Sequence, residues 1–353
     1  MMNSATTPVF FDGHNDMVLK ILLDRASVQD IVTGYDAGHI DLPRAQKGGF
    51  GGGFFAIFVP GRKPGAASPN PMGGASYDLP LPDMLDHATA LAFAERGFQT
   101  FAELEAAGAL TICRSAGEIA AALPGPRMAA VLHIEGAEAI GPDLAELEDF
   151  HARGLRSLGP VWSRPTIFAE GVPFRFPSTG DIGGGLSAAG KRLVGECNRL
   201  KIMIDLSHLN EKGMDEVAAL SDAPLVATHS NAHAICPHAR NLTDRQLQQI
   251  ADSDGMVGIN LASAFLRPDG QMSADFGLDV LLRHLDHLVS ILGEDRVGLG
   301  SDFDGAVVPR DIGDCAGLPA LRAAMADHGI GPELMTKLTH GNWLRVLRQT
   351  WGA

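Results

Sequence analysis

The sequence has few cysteines for its length. Four of them (Cys113, Cys197, Cys236 and Cys315) are scattered through 353 residues, and none belongs to a C-x-x-C pair. The number is too small for a disulfide framework and the spacing does not fit a zinc ribbon. We therefore expect four buried free thiols.

Positive charge and long apolar runs are also scarce. Lys and Arg number 28 against 42 Asp and Glu, which gives a formal charge of −14. Such a surface repels phosphate backbones and anionic lipid headgroups, so we expect neither nucleic acid nor a membrane as a partner. No apolar run approaches the roughly 20 residues of a spanning helix, and residues 1–7 lack the basic and apolar regions of a signal peptide. A cytoplasmic location is the expectation.

What the chain does contain is a repeated alternation of short apolar segments with amphipathic ones. Eight segments read as strands, at residues 9–11, 53–58, 129–134, 155–158, 201–206, 225–228, 256–259 and 296–299. Between them, residues 82–107, 190–200, 242–251 and 278–292 carry apolar positions at helical spacing.

This alternation predicts a parallel (β/α)8 TIM barrel over one domain, residues 1–353. The main alternative is an open doubly wound sheet, which usually places G-x-G-x-x-G after an early strand. No such fingerprint follows residues 9–11. Two long loops at residues 60–82 and 170–190 are rich in Gly and Pro, and either forms a lid or is a plain surface connection.

The first predicted strand runs directly into a histidine and a carboxylate. In residues 11–16 (FDGHND), His14 and Asp16 are two positions apart. On an extended chain their side chains project to the same side, as two ligands of one cation must. Alone, this pair is better explained as an ordinary turn at the end of a strand.

Three further strands end on similar groups: Glu135 in residues 131–136 (VLHIEG), His208 in residues 204–208 (IDLSH) and His229 in residues 226–230 (VATHS). In a barrel these strand ends meet at one rim. Imidazole nitrogens and carboxylate oxygens are ligands that zinc accepts, and five exceed what one catalytic zinc with an open position takes. Two metal ions sharing a carboxylate would use all five.

The last strand leads into residues 298–305 (GLGSDFDG). Asp302 reaches the same rim without being needed as a metal ligand. It is therefore the candidate catalytic base that holds and deprotonates the attacking water.

This ordered set resembles the metal-dependent amidohydrolase superfamily and, more narrowly, the membrane (renal) dipeptidase family of zinc metallopeptidases. The narrower resemblance rests on residues 12–16 (DGHND), 204–208 (IDLSH), 229–232 (HSNA), 240–241 (RN), 300–305 (GSDFDG) and 341–346 (GNWLRV). It extends from near residue 9 to near residue 347.

The resemblance implies two zinc ions per chain. His14 and Asp16 would hold one ion, His208 and His229 the other, and Glu135 would bridge both. Members of the family cleave dipeptides with a free carboxylate and often accept a D residue at the C-terminal position.

The resemblance also implies a binding group for the substrate carboxylate. Arg240 matches the arginine that has this role in the family. Its guanidinium can bind a carboxylate through two hydrogen bonds, which a lysine cannot do.

The sequence departs from the family in residues 159–165 (GPVWSRP), where Trp162 stands in place of a histidine that polarises the substrate carbonyl. An indole N–H donates a hydrogen bond but carries no charge, so this function would fall to a zinc ion or to Arg164. We assign Trp162 to substrate binding.

Three other histidines are less informative. His133 lies one layer deeper than Glu135, and we expect it to be packed inside the barrel. His233 and His238 flank the candidate substrate loop, and either they line it or they have no functional role.

The sequence thus predicts a zinc-dependent dipeptidase. One alternative keeps the metal ions but acts on N-acyl amino acids, cyclic amides or lactams. A third hypothesis is a metal-binding protein without activity, which the intact Asp302 disfavours. Zinc, cobalt and manganese all suit these ligands, and a homodimer is an open prediction.

Overall fold

The computed structural model describes residues 9–61 and 71–352. Its strands are β1 (Phe10–Asn15), β2 (Phe50–Phe58), β3 (Tyr77–Leu79), β4 (Leu110–Ile112), β5 (Met128–Glu135), β6 (Leu155–Gly159), β7 (Phe174–Phe176), β8 (Met203–Ile204), β9 (Val226–Ala227), β10 (Met256–Asn260) and β11 (Val297–Gly300).

Helices fill most of the connections. They are α1 (Met17–Leu22), α2 (Val28–Thr33), α3 (Leu42–Gly48), α4 (His87–Ala106), α5 (Ala116–Ala122), α6 (Ala145–Arg153), α7 (Ala188–Leu200), α8 (Glu211–Leu220), α9 (Asp244–Asp252), α10 (Ser263–Leu266), α11 (Asp279–Leu292), α12 (Leu318–Asp327), α13 (Pro332–Thr336) and α14 (Asn342–Trp351). A 3₁₀ turn spans Cys315–Gly317 and a π-helical turn spans Lys337–Gly341.

Eight strands pair in parallel in the order β8-β6-β5-β2-β1-β11-β10-β9. A parallel bridge from Asp205 to Val226 joins the two ends of this series. The sheet therefore closes on itself with helices outside it, which confirms the predicted (β/α)8 barrel. β4 is an addition that pairs with the first half of β5, and β6 pairs with the second half.

The long loops that follow the second and fourth barrel strands are joined to each other. Tyr77–Leu79 of the first loop pairs antiparallel with Phe174–Phe176 of the second. Residues 62–70 of the predicted loop at 60–82 lie outside the described residues. For each loop the sequence allowed either a lid or a plain surface connection. The two loops instead pair in a two-stranded ribbon, which the pattern of residues within each loop did not predict.

The apolar core lies mainly between the barrel strands and the surrounding helices. A second cluster joins Phe11, Phe54 and Val131 of the strands to Trp343 of α14. The indole N–H of Trp343 donates to the Leu299 carbonyl at 3.0 Å, so the C-terminal helix is tied to the last strand.

All four cysteines are free and buried, as expected from the sequence. Among residues 9–61 and 71–352, no helix combines the length and apolar character that crossing a bilayer requires.

Candidate metal centre and active site

The predicted ligands converge at the carboxyl ends of the barrel strands. His14 Nε2 lies 3.6 Å from Asp16 Oδ2 and 3.8 Å from Glu135 Oε1. His208 Nε2 and His229 Nε2 lie 3.1 Å and 3.5 Å from the same Glu135 oxygen. One carboxylate oxygen therefore stands between three imidazole nitrogens drawn from different strands.

These side chains lie deep in the protein, because each belongs to a residue at most 5% exposed. The His14 and His229 rings are stacked with centroids 3.9 Å apart, and the Nε2 atoms of His208 and His229 are 3.2 Å apart. The three imidazoles therefore form one compact cluster.

A direct sign that the residues fit a cation comes from atoms without partners. Both ring nitrogens of His14 and Oδ1 of Asp16 are buried and have no hydrogen-bond partner among the described residues. Buried polar atoms are normally paired. Nitrogen and oxygen atoms that converge without partners are the donor set of a divalent metal ion, and ligand atoms of His14, Asp16 and Asp302 lie within 4.8 Å of one another.

The electrostatics are those of a strongly anionic pocket. Burial opposes protonation of His14, yet Glu135, Asp16 and Asp302 outweigh it and raise the pKa of His14 to about 10. Burial raises the pKa of Glu135 well above its ordinary value. In the protein alone, a proton thus takes up part of the negative charge that a metal cation would otherwise neutralise.

The other two histidines are held as neutral rings. Burial lowers the pKa of His208 and of His229 well below the ordinary value. His208 Nδ1 lies 2.8 Å from Ser163 Oγ, and His229 Nδ1 lies 2.8 Å from Thr228 Oγ1. Each ring is therefore oriented through Nδ1, which leaves Nε2 toward the Glu135 oxygen.

The support behind His229 includes a buried carboxylate. Thr228 Oγ1 donates to Asp205 Oδ2 at 2.6 Å, and the Thr228 amide donates to Asp205 Oδ1 at 2.9 Å. Asp205 is 2% exposed. Asp205 belongs to the motif at residues 204–208, but the sequence did not indicate that it would pair with Thr228 at the end of the neighbouring strand.

Asp302 lies beside the predicted metal ligands but is not one of the side chains that surround the Glu135 oxygen. Its backbone N–H donates to the His14 carbonyl at 3.0 Å, and Asn260 Nδ2 donates to its Oδ2 at 3.0 Å. Burial raises the pKa of its carboxyl group. A carboxyl group with a raised pKa, fixed by two strands, has the chemistry of a general base.

The absence of a side chain at Gly305 allows the carboxylates of Asp16 and Asp302 to lie close together. A Cβ atom there would lie 2.2 Å from Asp16 Oδ2 and 2.5 Å from Asp302 Oδ1. Any side chain would push one of these oxygens away, so the glycine in residues 300–305 is required by close approach.

A cavity of about 540 Å³ opens over this cluster. Its walls include Asp16, Glu135, His208 and Asp302 together with aromatic residues from the long loops. This volume suits a small substrate.

Trp162, predicted to contact substrate, lies in the wall of this cavity. Its ring packs against Phe58 at 5.0 Å and Phe174 at 5.4 Å between centroids. Arg164, offered as a replacement for the missing histidine, is fully buried and bound to Glu138 Oε1 at 2.7 Å. Its charge is already paired with Glu138, so the alternative that it acts on the substrate carbonyl is disfavoured by the structure.

Arg240, the predicted carboxylate-binding residue, is only 3% exposed and, like Arg164, is not among the cavity-lining residues. Its Nη2 donates to the His229 carbonyl at 3.1 Å, and its guanidinium carbon lies 5.5 Å from the ring centre of Phe265. Its Nε is buried and has no partner among the described residues, so hydrogen-bonding capacity remains.

The remaining histidines differ from one another. His133 is fully buried with Nδ1 at 2.8 Å from Ser157 Oγ, as expected for a packed barrel residue. His233 hydrogen-bonds the Ser178 carbonyl at 3.0 Å, and His238 packs against Phe265 at 4.6 Å between ring centroids. Neither of the latter two lines the main cavity.

Comparison with known proteins decides the family. The model of the membrane dipeptidase family, peptidase family M19, matches residues 4–352. The chain belongs to this family.

Individual relatives agree. The chain is 30% identical to the dipeptidase aclJ of Aspergillus oryzae, over 95% of this chain and 76% of that protein. A metallopeptidase from Rhodobacter sphaeroides, crystallised with a phosphinate mimic of L-Ala-D-Ala, is 55% identical with a TM-score of 0.95, covering 98% of this chain and all of that one. This chain is also 47% identical to an uncharacterised Klebsiella pneumoniae protein encoded in the pqqA 5′ region, over 69% of this chain and 90% of that protein.

Proposed function

We propose that this M19 family member is a two-metal dipeptidase, which hydrolyses the amide bond of dipeptides with a free C-terminal carboxylate and accepts a D residue at that end. One observation carries the proposal: three imidazoles converge on a shared carboxylate beneath a cavity of about 540 Å³, and neither ring nitrogen of His14 has a hydrogen-bond partner among the described residues. The Rhodobacter sphaeroides relative, which binds a dipeptide mimic, supports the substrate class.

In this proposal His14 and Asp16 would hold one zinc ion and His208 and His229 the second, with Glu135 as a ligand shared by the two. When bound, such ions polarise a carbonyl group and lower the pKa of water. Cobalt or manganese would suit the same nitrogen and oxygen ligands. A cytoplasmic location and a homodimer remain predictions from the sequence.

Asp302 takes the proton of the attacking water and delivers it to the leaving amine. Asn260 fixes one carboxylate oxygen by its hydrogen bond of 3.0 Å, which leaves the other to move the proton. Trp162 and Phe58 form the apolar wall against which the substrate packs.

Arg240 binds the terminal carboxylate in this scheme. Its unpartnered Nε supplies the donor, and a buried charge pair of this kind is worth about 2–5 kcal/mol when one partner is removed. Hydrolysis of free dipeptides and of the corresponding dipeptide amides therefore separates carboxylate recognition from amide chemistry.

The experiment compares these two substrate series on wild type and on Arg240→Met. The variant should lose more than about tenfold in kcat/KM for free dipeptides and little for the amides. Arg245→Met, which removes an exposed guanidinium on α9, is the control and should behave as wild type. Equal losses in both series would remove Arg240 from carboxylate recognition.

A second candidate keeps the metal centre but acts on N-acyl amino acids, cyclic amides or lactams. The aromatic wall formed by Trp162, Phe58 and Phe174 favours it, because an apolar acyl group packs well there. A hydrolysis panel of dipeptides, N-acyl amino acids and lactams distinguishes the two, and faster turnover of the last two classes would replace the dipeptidase proposal.

A further inference from the structure

One wall of the cavity carries positive charge that the proposed reaction does not use. Lys20, Arg25, His39 and Asp304 line the cavity next to the metal-ligand cluster. Lys20 and Arg25 come from α1 and the turn after it, and Asp304 follows β11. The wall stands out in a chain whose formal charge is −14.

Among the described residues, the ammonium group of Lys20 forms an ion pair but no hydrogen bond. Its Nζ lies 3.6 Å from Asp304 Oδ1, and its side chain is 21% exposed. This distance is an ion pair and not a hydrogen bond, and its ammonium group makes no hydrogen bond to the described residues. Three N–H donors are therefore available to a ligand in the cavity.

Arg25 is placed beside Lys20 by the backbone. The Arg25 N–H donates to the Lys20 carbonyl at 2.8 Å through a turn in which Asp24 has φ +56°. The Arg25 guanidinium has neither a hydrogen bond nor an ion pair within the described part of the chain, although it reaches the cavity.

His39 adds a neutral donor to the wall. The Asp304 N–H donates to His39 Nδ1 at 2.8 Å, which assigns the ring proton to Nε2. Oδ1 of Asp304 accepts the His39 backbone N–H at 2.8 Å and also faces Lys20, whereas its Oδ2 is buried without a hydrogen-bond partner among the described residues.

The cavity's other charged groups already have assignments. Asp16 and Glu135 are proposed metal ligands, and Asp302 is the proposed base. The remaining donors are Lys20, Arg25 and His39. They carry two formal positive charges, and Asp304 is the one carboxylate beside them. A carboxylate of the substrate is the group that such a cluster recognises.

Strand order indicates which part of a dipeptide meets this wall. Arg240 follows β9, whereas Lys20 follows β1, and β10 and β11 stand between these strands. A terminal carboxylate held by Arg240 would therefore lie at a different part of the barrel rim from Lys20. In that orientation the N-terminal residue of the dipeptide, on the other side of the scissile bond, would extend toward Lys20 and Arg25.

We infer that Lys20 and Arg25 are specificity-determining residues that select dipeptides with an aspartate or glutamate at the N-terminal position. The inference rests on the proposed dipeptidase function and names a substrate class within it.

The test measures kcat/KM for Glu-Ala and Gln-Ala, which differ only in the charge of one side chain. Wild type should favour Glu-Ala by about tenfold, the worth of one charge-assisted hydrogen bond. The ratio should fall toward one in Lys20→Met and in Arg25→Met, with KM carrying most of the change. Lys20→Arg keeps the charge next to Asp304 and should keep the preference.

Lys47→Met is the matched control, because it removes an exposed lysine on α3 that does not line the cavity. Its ratio should equal that of wild type. A ratio near one in wild type, an unchanged ratio in the Lys20→Met/Arg25→Met double variant, or discrimination only between Ala-Glu and Ala-Gln would each overturn the inference.

Ala-Ala is measured with the same preparations. Turnover of Ala-Ala without a preference for Glu-Ala overturns the specificity inference alone. No turnover of any dipeptide by metal-loaded protein overturns the proposed function, and the inference with it.

Discussion

At the scale of single residues, the candidate site stores backbone strain. His208 and Asp302 adopt φ +69° and +60°, in the left-handed region that residues other than glycine rarely occupy. Each such residue costs of the order of 1–3 kcal/mol and persists only where its surroundings hold it. Ser163 hydrogen-bonds the side chain of His208, and Asn260 hydrogen-bonds that of Asp302. The two side chains are thus held in position at a cost in folding stability.

The role of Asp302 leads to a prediction for Asp302→Asn, which keeps the shape of the side chain but removes the base. We expect kcat to fall by about 10²–10⁴, the usual contribution of general acid–base catalysis, with metal content unchanged. Steady-state kinetics and elemental analysis on the same preparation measure both quantities. Asp311→Asn, at an exposed position of the same loop, is the control, and near-normal turnover of Asp302→Asn would exclude the residue from proton transfer.

The sequence predicted the ligands well because each one directly follows an apolar strand, and parallel strands bring their carboxyl ends together. It did not predict the supporting residues. Asp205 and Thr228 are 23 positions apart and meet only because β8 and β9 are neighbours at the barrel closure. Lys20 and Arg25 carried no signal, because a lysine and an arginine near a short helix are typical of any surface.

At the scale of elements, β2 shows how the barrel accommodates a glycine run. Phe10 pairs with Phe50 but Phe11 pairs with Gly52, so β2 contains one extra residue at this point. Gly52 has φ +143°, and a Cβ atom there would lie 2.0 Å from the Ala129 carbonyl oxygen on β5. The glycines are thus required where β2 is pressed between its neighbours.

Gly52→Ala should therefore be strongly destabilising, by about 3 kcal/mol, since overpacking and backbone strain act together. Gly195→Ala on α7 is a matched control, because nothing lies within 4 Å of a Cβ atom there. In that helix alanine should stabilise by about 0.5–1 kcal/mol. Urea denaturation gives both values, and similar midpoints for the two variants would refute the close-approach argument.

All eight barrel strands were predicted from short apolar segments, with ends displaced by a few residues. The sequence placed the second strand at residues 53–58, whereas β2 begins at Phe50, because glycines give no strand signal. The ribbon of β3 and β7 was not predicted, since its strands are three residues each and lie about a hundred positions apart in the chain. Only the closed barrel brings those loops together.

At the scale of the whole molecule, stability depends on histidines that fold as neutral rings. His284 on α11 is fully buried, accepts the Ala232 N–H at 3.2 Å and lies 2.8 Å from the Leu266 carbonyl. Burial lowers its pKa from 6.5 to about 4. The unfolded chain therefore binds a proton at a pH where the folded protein does not.

The neutral His284 ring makes the free energy of unfolding depend on pH. The stabilising contribution is complete above pH 6.5 and is lost as the pH falls from 6.5 toward 4. Between pH 8 and pH 5 the loss from His284 should be about 2 kcal/mol. His284→Gln should reduce the pH dependence of the unfolding free energy of metal-free protein by that amount, as measured by urea denaturation. An identical dependence in wild type and variant would show that His284 is not held neutral.

The central claim is that a two-metal centre enables this chain to hydrolyse dipeptides. The most direct measurement adds zinc stepwise to chelator-treated protein and follows both bound metal and the hydrolysis of Ala-Ala. We predict that turnover is absent without metal and saturates at two ions per chain, and that Glu135→Gln weakens the binding of both ions. Full turnover in metal-free protein, or saturation of binding and activity at one ion, would contradict the account.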